Sequence, residues 1–184
     1  MGGALPREAR EAREAHLIVI GIDPGFAIVG YGVLKYEGNR FTVLGYGRIT
    51  TDAATPFPLR LLTIHDELNA LIDHFKPDCV AVEQLYFNRN AKTAISVAQG
   101  RGAIVLTAAK HGVAIYEYTP LQIKMAVTGY GQADKAQIQH MVKTLLNLRG
   151  EPKSDDVADA LAAAICHAHS SVLEGAARRS TPGR

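Results

Sequence analysis

Four acids in this chain stand where packing alone gives them no reason to be. The stretch HLIVIGIDPGFAIVGYGVLKY, residues 16–36, delivers Asp23 at the end of an apolar run and directly before a Pro-Gly pair. A lone acid there reads as a turn opener, since Asp accepts local backbone hydrogen bonds. The run DCVAVE, residues 78–83, ends on Glu83 in the same way. In KSDDVADALAAAICHAH, Asp156 and Asp159 are three residues apart, which stacks them on one face of a helix. Ser154 suits a helix cap and Asp155 a first turn that complements the macrodipole. Asp159 lies a turn deeper, between Val157-Ala158 and the apolar run from Ala160 to Ile165, where the reading as an ordinary acidic helix start is weaker.

Gathered at one crevice, Asp23, Glu83, Asp156 and Asp159 would need counter-charge. Two like charges ~4 Å apart repel by roughly 4 kcal/mol at an effective dielectric of 20. All-oxygen donors select hard cations, Mg²⁺ or Mn²⁺, over zinc. A carboxylate set holding two such ions ~3.5–4 Å apart is a recurrent apparatus for phosphodiester hydrolysis.

The surrounding pattern supplies a scaffold able to aim these acids. Three β-branched and aromatic runs, at 17–23, about 28–36 and about 40–49, are separated by Pro-Gly and by EGNR, which predicts an antiparallel meander. A helix is expected near 58–75, where Leu61, Leu62, Ile64, Leu68, Leu71 and Ile72 recur at helical spacing. DCVAVE follows as a continuous apolar strand, then a long helix at about 91–111, the strand VAIYEY, and helices at about 134–148 and 155–169. The class is therefore α/β, a mixed sheet covered by helices. With the first strand central, the chain leaves it in both directions, and ligands favour the carboxyl ends of strands at such a switch point. Asp23 and Glu83 both end there.

With 184 residues, 47% of them hydrophobic, the chain predicts one well-filled domain at 16–171. MGGALPREAREAREA, residues 1–15, reads as a charged extension with little to bury, and 172–184 as a disordered basic tail. Cys79 and Cys166 lie in apolar runs without metal spacing, so they read as buried thiols in a reducing, cytoplasmic setting. No apolar run approaches the ~20 residues of a membrane span, and the N-terminus lacks a signal-peptide core. Between Tyr86 and Lys153 nine basic residues face three acids, a local +6 that suits a polyanionic partner or, equally, solvated helix faces.

Taken in order, GIDPG with GYGV, VAVEQLYFNRNAKTA, QGRG, EYTPLQIKMAVTGYGQADKAQIQHMV and DDVADALAAAICHAH resemble the RuvC family of bacterial Holliday-junction resolvases, within the ribonuclease H-like nucleases. The resemblance runs from about Val19 to His169. It implies a ribonuclease H-like five-stranded sheet, three antiparallel strands then two parallel, with helices on both faces. It also implies that Asp23, Glu83, Asp156 and Asp159 are catalytic and bind two Mg²⁺ per site, with Mn²⁺ as a substitute. Lys124 and Lys135 match family lysines that engage DNA phosphates. Tyr86 matches an aromatic that can insert at the junction, with Phe87 beside it as the alternative ring. Arg89 and Lys92 complete the expected DNA contacts. The family resolves four-way junctions by paired symmetric nicks, as a homodimer working with the RuvA–RuvB branch-migration complex. Ala94, Ala98 and Gly102 form a small-residue stripe that suits either a partner helix or core packing. Rival readings are another ribonuclease H-like nuclease acting on hybrids or flaps, an actin-like nucleotide-binding protein, and a non-catalytic junction-binding protein.

Overall fold

Leu17–Asp23 forms strand β1 and pairs antiparallel with β2 (Ile28–Glu37), which pairs antiparallel with β3 (Arg40–Thr50). On its other side β1 pairs parallel with β4 (Cys79–Glu83), and β4 with β5 (Ala114–Tyr118). The order β3-β2-β1-β4-β5 puts β1 in the centre, at the expected switch point. The helices are α1 (Phe57–Phe75), α2 (Ala91–Lys110), α3 (Pro120–Thr128), α4 (Lys135–Leu145) and α5 (Asp155–Ser180). This computed structural model describes residues 16–84, 91–152 and 154–180; the extension at 1–15 lies outside them.

Alternation along the strands divides the core in two. Ile20, Ile22, Val33, Val80 and Val82 face Ile64, Leu68 and Ile72 of α1 and Ile104 and Ala108 of α2. Val19, Leu34, Cys79 and Ala81 face the other way, onto Ile123 and Val127 of α3, Ile138 and Val142 of α4, and Leu161 and Ile165 of α5. Each fully buried Leu or Ile adds about 1.5–3 kcal/mol relative to its exposed state, so helices on both faces follow from strands apolar on both sides. Cys79 and Cys166 are buried free thiols, held protonated by that burial, Cys79 with its pKa pushed up to about 12 and Cys166 to about 11.

Two elements differ from the sequence expectation. Helix α3 has no counterpart among the expected helices, because its short span gives little periodicity. It is fixed by its ends: Thr119 accepts from the Gln122 N–H while the Gln122 side chain accepts from the Thr119 N–H, Pro120 starts the helix, and Gly129 closes it at φ 72°. Helix α5 continues to Ser180, past the expected tail boundary at 172, through a segment of Ala and Arg that favours helix. Among the described residues no helix is long and apolar enough to cross a membrane.

Helix α5 lies against β1 and β2 more closely than any side chain would permit. A Cβ on Gly21 would sit 2.0 Å from the Ala160 carbonyl oxygen, and one on Gly30 would sit 2.0 Å from that of Asp156. From Ala160 to Ala168 the helix is buried throughout, and five of those nine residues are alanine. Gly21→Ala should therefore force the helix off the sheet and destabilise the fold by about 1–3 kcal/mol or more, read as a lower denaturant midpoint. An unchanged midpoint would show that the helix has room the structure does not show.

Candidate active site

Period-two alternation puts Val19 and Gly21 under α5, so Asp23, the next residue on that face, emerges at the carboxyl end of β1 on the same side. Cys79 and Ala81 set the same face on β4, and Glu83 follows them out. Ile22 and Val82 are the last paired residues of the two parallel strands, so both acids sit one step beyond the ladder, side by side. Helix α5 passes over this end of the sheet and brings Asp156 and Asp159 down onto it. The Ser154 hydroxyl donates to Asp156 Oδ2 at 2.7 Å, so it steers a carboxylate, while its carbonyl accepts from the Ala158 N–H at 3.2 Å.

Burial and the crowding of acids both show in their protonation. Burial, then the charges of Asp159, Glu83 and Asp156, push the Asp23 carboxyl up to about 7, with Lys135 opposing. Burial and Asp159 push Glu83 to about 7 against the pull of Lys124 and Lys135. Burial also raises Asp159, and Lys135 lowers it. The four acids share one field, and the two lysines are its counter-charges. An open cleft of about 230 Å³ is lined by Glu83, Asp159, Lys124, Lys135, Pro120, Ile123 and Ile138. Lys135 Nζ stands 2.8 Å from Asp155 Oδ2 and 4.0 Å from Asp159 Oδ2.

An all-oxygen donor set, with Asp23 and Glu83 holding their protons to about neutral pH, has the chemistry of a hard divalent-cation site. Among the described residues no three acidic, histidine or cysteine side chains are already drawn together tightly enough to enclose an ion. Tyr86, Phe87 and Arg89 lie outside the described residues, and Lys92 is described only by its backbone at the start of α2. The sequence reading did not anticipate Pro120, Ile123 and Ile138 as cleft walls, nor the buried Tyr118 hydroxyl 2.7 Å from His167 Nδ1. The capping box at Thr119 was the available signal for the first two.

Residues 19–167 match the sequence pattern of the family described as crossover junction endodeoxyribonuclease RuvC. The chain belongs to the RuvC family. A RuvC of Ruminiclostridium cellulolyticum is 60% identical over 154 residues, covering 84% of this chain and 93% of its own length. The structure of Thermus thermophilus RuvC in complex with Holliday junction substrate is similar at a TM-score of 0.82, with 33% identity, over 86% of this chain and 96% of that one. The yeast mitochondrial Holliday junction resolvase is 16% identical with a TM-score of 0.64, over 88% of this chain and 81% of its own, and shares the fold. Membership in the RuvC family sets aside the actin-like reading of GIDPG.

The raised acids make a pH prediction for the metal-free protein. Asp23 and Glu83 keep their protons to a higher pH when folded, about 7, than their ordinary values of 3.8 and 4.5 allow in the unfolded chain. Their contribution to stability is thus full below those ordinary values and is lost as pH rises through about 7. In EDTA, Tm should fall between pH 5 and pH 8, and Asp23→Asn should raise Tm at pH 8 by roughly 5 °C. Equal Tm profiles for the two proteins would mean that the acids relax apart at no cost.

Proposed function

We propose that this cleft hydrolyses a phosphodiester in each of two opposed strands of a four-way DNA junction, as a homodimer that makes paired symmetric nicks in recombination and repair. The observation that carries the reading is the convergence of Asp23, Glu83 and Asp159, with Asp156 in the same field, at the carboxyl ends of β1 and β4 under two lysines. The junction-bound Thermus thermophilus relative supports the choice of substrate over hybrids or flaps. Two divalent ions, Mg²⁺ or Mn²⁺, held by Asp23, Glu83, Asp156 and Asp159 would supply activation of water and neutralise charge on the leaving 3′ oxygen.

The chain's own residues do the rest. Asp23 and Glu83 are fixed by the rigid strand ends, so their carboxylates present oxygens without reorganisation. Lys124 on α3 and Lys135 on α4 border the cleft on the side away from the sheet, where a phosphate would enter, and both are close enough to act on Glu83 and Asp159. Tyr86 or Phe87 would stack on an unpaired base at the junction centre, with Arg89 and Lys92 on nearby phosphates. Family membership supports cooperation with RuvA–RuvB branch migration and a cytoplasmic setting.

Two nicks require two sites, and one chain carries one. Ala98 and Gly102 of α2 are exposed, with no atom within 4 Å of a Cβ placed on Gly102. Ile95 is 65% and Leu106 60% exposed on the same helix, and Leu59 and Leu62 are about half exposed on the adjoining α1. This face favours a second copy over the core-packing reading of the stripe.

Changing Asp23, Glu83, Asp156 or Asp159 to Asn should slow nicking by at least about 10²-fold while junction binding stays intact or tightens, since fewer acids repel phosphate. Cleavage by Asp159→Asn at the normal rate would remove that residue from the site. For assembly, the chain of 19.8 kDa should sediment as a dimer, and Ala98→Glu should dissociate it with Tm largely retained. An Ala98→Glu variant that stays dimeric would move the interface elsewhere.

A further inference from the structure

We propose that Asp155 is a positioning residue for cleavage, a clamp that holds the Lys135 amine at the mouth of the catalytic cleft. The inference rests on the reading of Lys135 as the group that meets the scissile phosphate. Nothing in the sequence pattern distinguishes Asp155 from an ordinary acid in the first turn of a helix.

The geometry does distinguish it. Each carboxylate oxygen of Asp155 has its own partner on α4: Oδ2 pairs with Lys135 Nζ at 2.8 Å, and Oδ1 accepts from Gln139 Nε2 at 2.7 Å. Lys135 and Gln139 are four residues apart, on one face of the helix. The Gln139 bond stops the carboxylate from rotating, and a carboxylate that cannot rotate fixes the amine it holds. The base of the lysine is fixed as well. Asp134 caps α4 through a reciprocal box with Gln137, which sets Lys135 as the first helical residue. Only the flexible stem between backbone and amine is left, and the clamp removes its freedom.

Neither helix stability nor the ion pair itself accounts for this arrangement. A lysine in the first turn opposes the macrodipole of α4. Both side chains are more than half exposed, at 53% and 59%, and exposed pairs contribute little to folding. What the clamp does achieve is location: it keeps Nζ 4.0 Å from Asp159 Oδ2, in the cleft that Glu83 and Lys124 also line. An ammonium has three donors, so a phosphate oxygen can bind Lys135 while Asp155 still does. A group held where charge develops in the transition state raises the rate of the chemical step more than the affinity for the ground state.

The test is a double-mutant cycle on the full chain, with Asp155→Ala, Lys135→Ala and the double variant, using a synthetic four-way junction at saturating enzyme and Mg²⁺ under single turnover. Asp155→Ala should lower the rate constant about tenfold, within the range of coupling between groups in contact, with Kd for the junction within about twofold of the original. Added to Lys135→Ala it should change nothing further, and Asp155→Glu should recover most of the loss. Tm should match across all variants. If Lys135→Ala is slow while Asp155→Ala cuts at the full rate, the clamp is overturned and the role of Lys135 stands. If Lys135→Ala itself cuts and binds normally, both fall. If Asp155→Ala causes a further loss in the Lys135→Ala background, Asp155 acts on the acids or the helix rather than on the lysine, and the proposal is wrong.

Discussion

The contact on which everything else depends is the backbone-to-backbone approach of α5 to β1 and β2. Gly21 and Gly30 leave the sheet bare where the Ala160 and Asp156 carbonyl oxygens come down, and alanine fills the helix side of the contact. Any larger residue at either glycine would lift the amino-terminal half of α5. That half carries Asp156 and Asp159, so a shift there would move two of the four acids relative to the two fixed on strand ends. Sub-ångström packing of small residues thus sets the geometry of the charged site. Dispersion and burial in α5, from Ala160 to Ala168, hold the acids together against their own repulsion.

Burial first, and that repulsion second, push the carboxyls of Asp23 and Glu83 to about 7, which makes the site a strained part of an otherwise well-satisfied fold. Among the described residues no buried side-chain nitrogen or oxygen lacks a hydrogen-bond partner, so the strain is one of charge and not of unmet polar groups. The lysines relieve part of it from outside. They come from α3 and α4, short helices closed by capping boxes, rather than from the sheet. A cation on these outer elements would meet a phosphate without disturbing the acids, which a cation built into the strand ends could not do.

Much of this was legible in the sequence, for physical reasons. Strand alternation and the position of each acid at the end of an apolar run place Asp23 and Glu83 on one face at one end, because period-two geometry leaves no other solution once β1 and β4 run parallel. Asp159 was legible because an acid inside an apolar helix needs a reason. The two lysines were legible only through the family, since a lysine on a helix looks the same whether it meets solvent or phosphate. Helix α3 escaped the hydrophobic pattern because nine residues show too little of a 3.6 period, although TPLQ carried its start. The Asp155 contact with Lys135 and Gln139 could not be read at all: it joins residues sixteen and twenty apart across a turn whose path only the fold determines.

The two faces of the sheet are free to serve different ends, one cleavage and the other the proposed pairing of two copies. Asp156, Asp159, Lys124 and Lys135 belong to α3, α4 and α5, all packed on one side of the sheet, whereas the exposed apolar residues Ile95, Leu106, Leu59 and Leu62 belong to α1 and α2 on the other. A second copy docked on the α1–α2 side would leave the cleft uncovered in both subunits. The acids leave the strands at their carboxyl ends, at right angles to that docking direction, and a two-fold axis running along the strands would turn both clefts toward the same end. A junction laid across that end would meet both sites together. In the proposed dimer the small residues Ala98 and Gly102 would act as Gly21 and Gly30 do under α5, since what is positioned would depend on how closely a helix can approach.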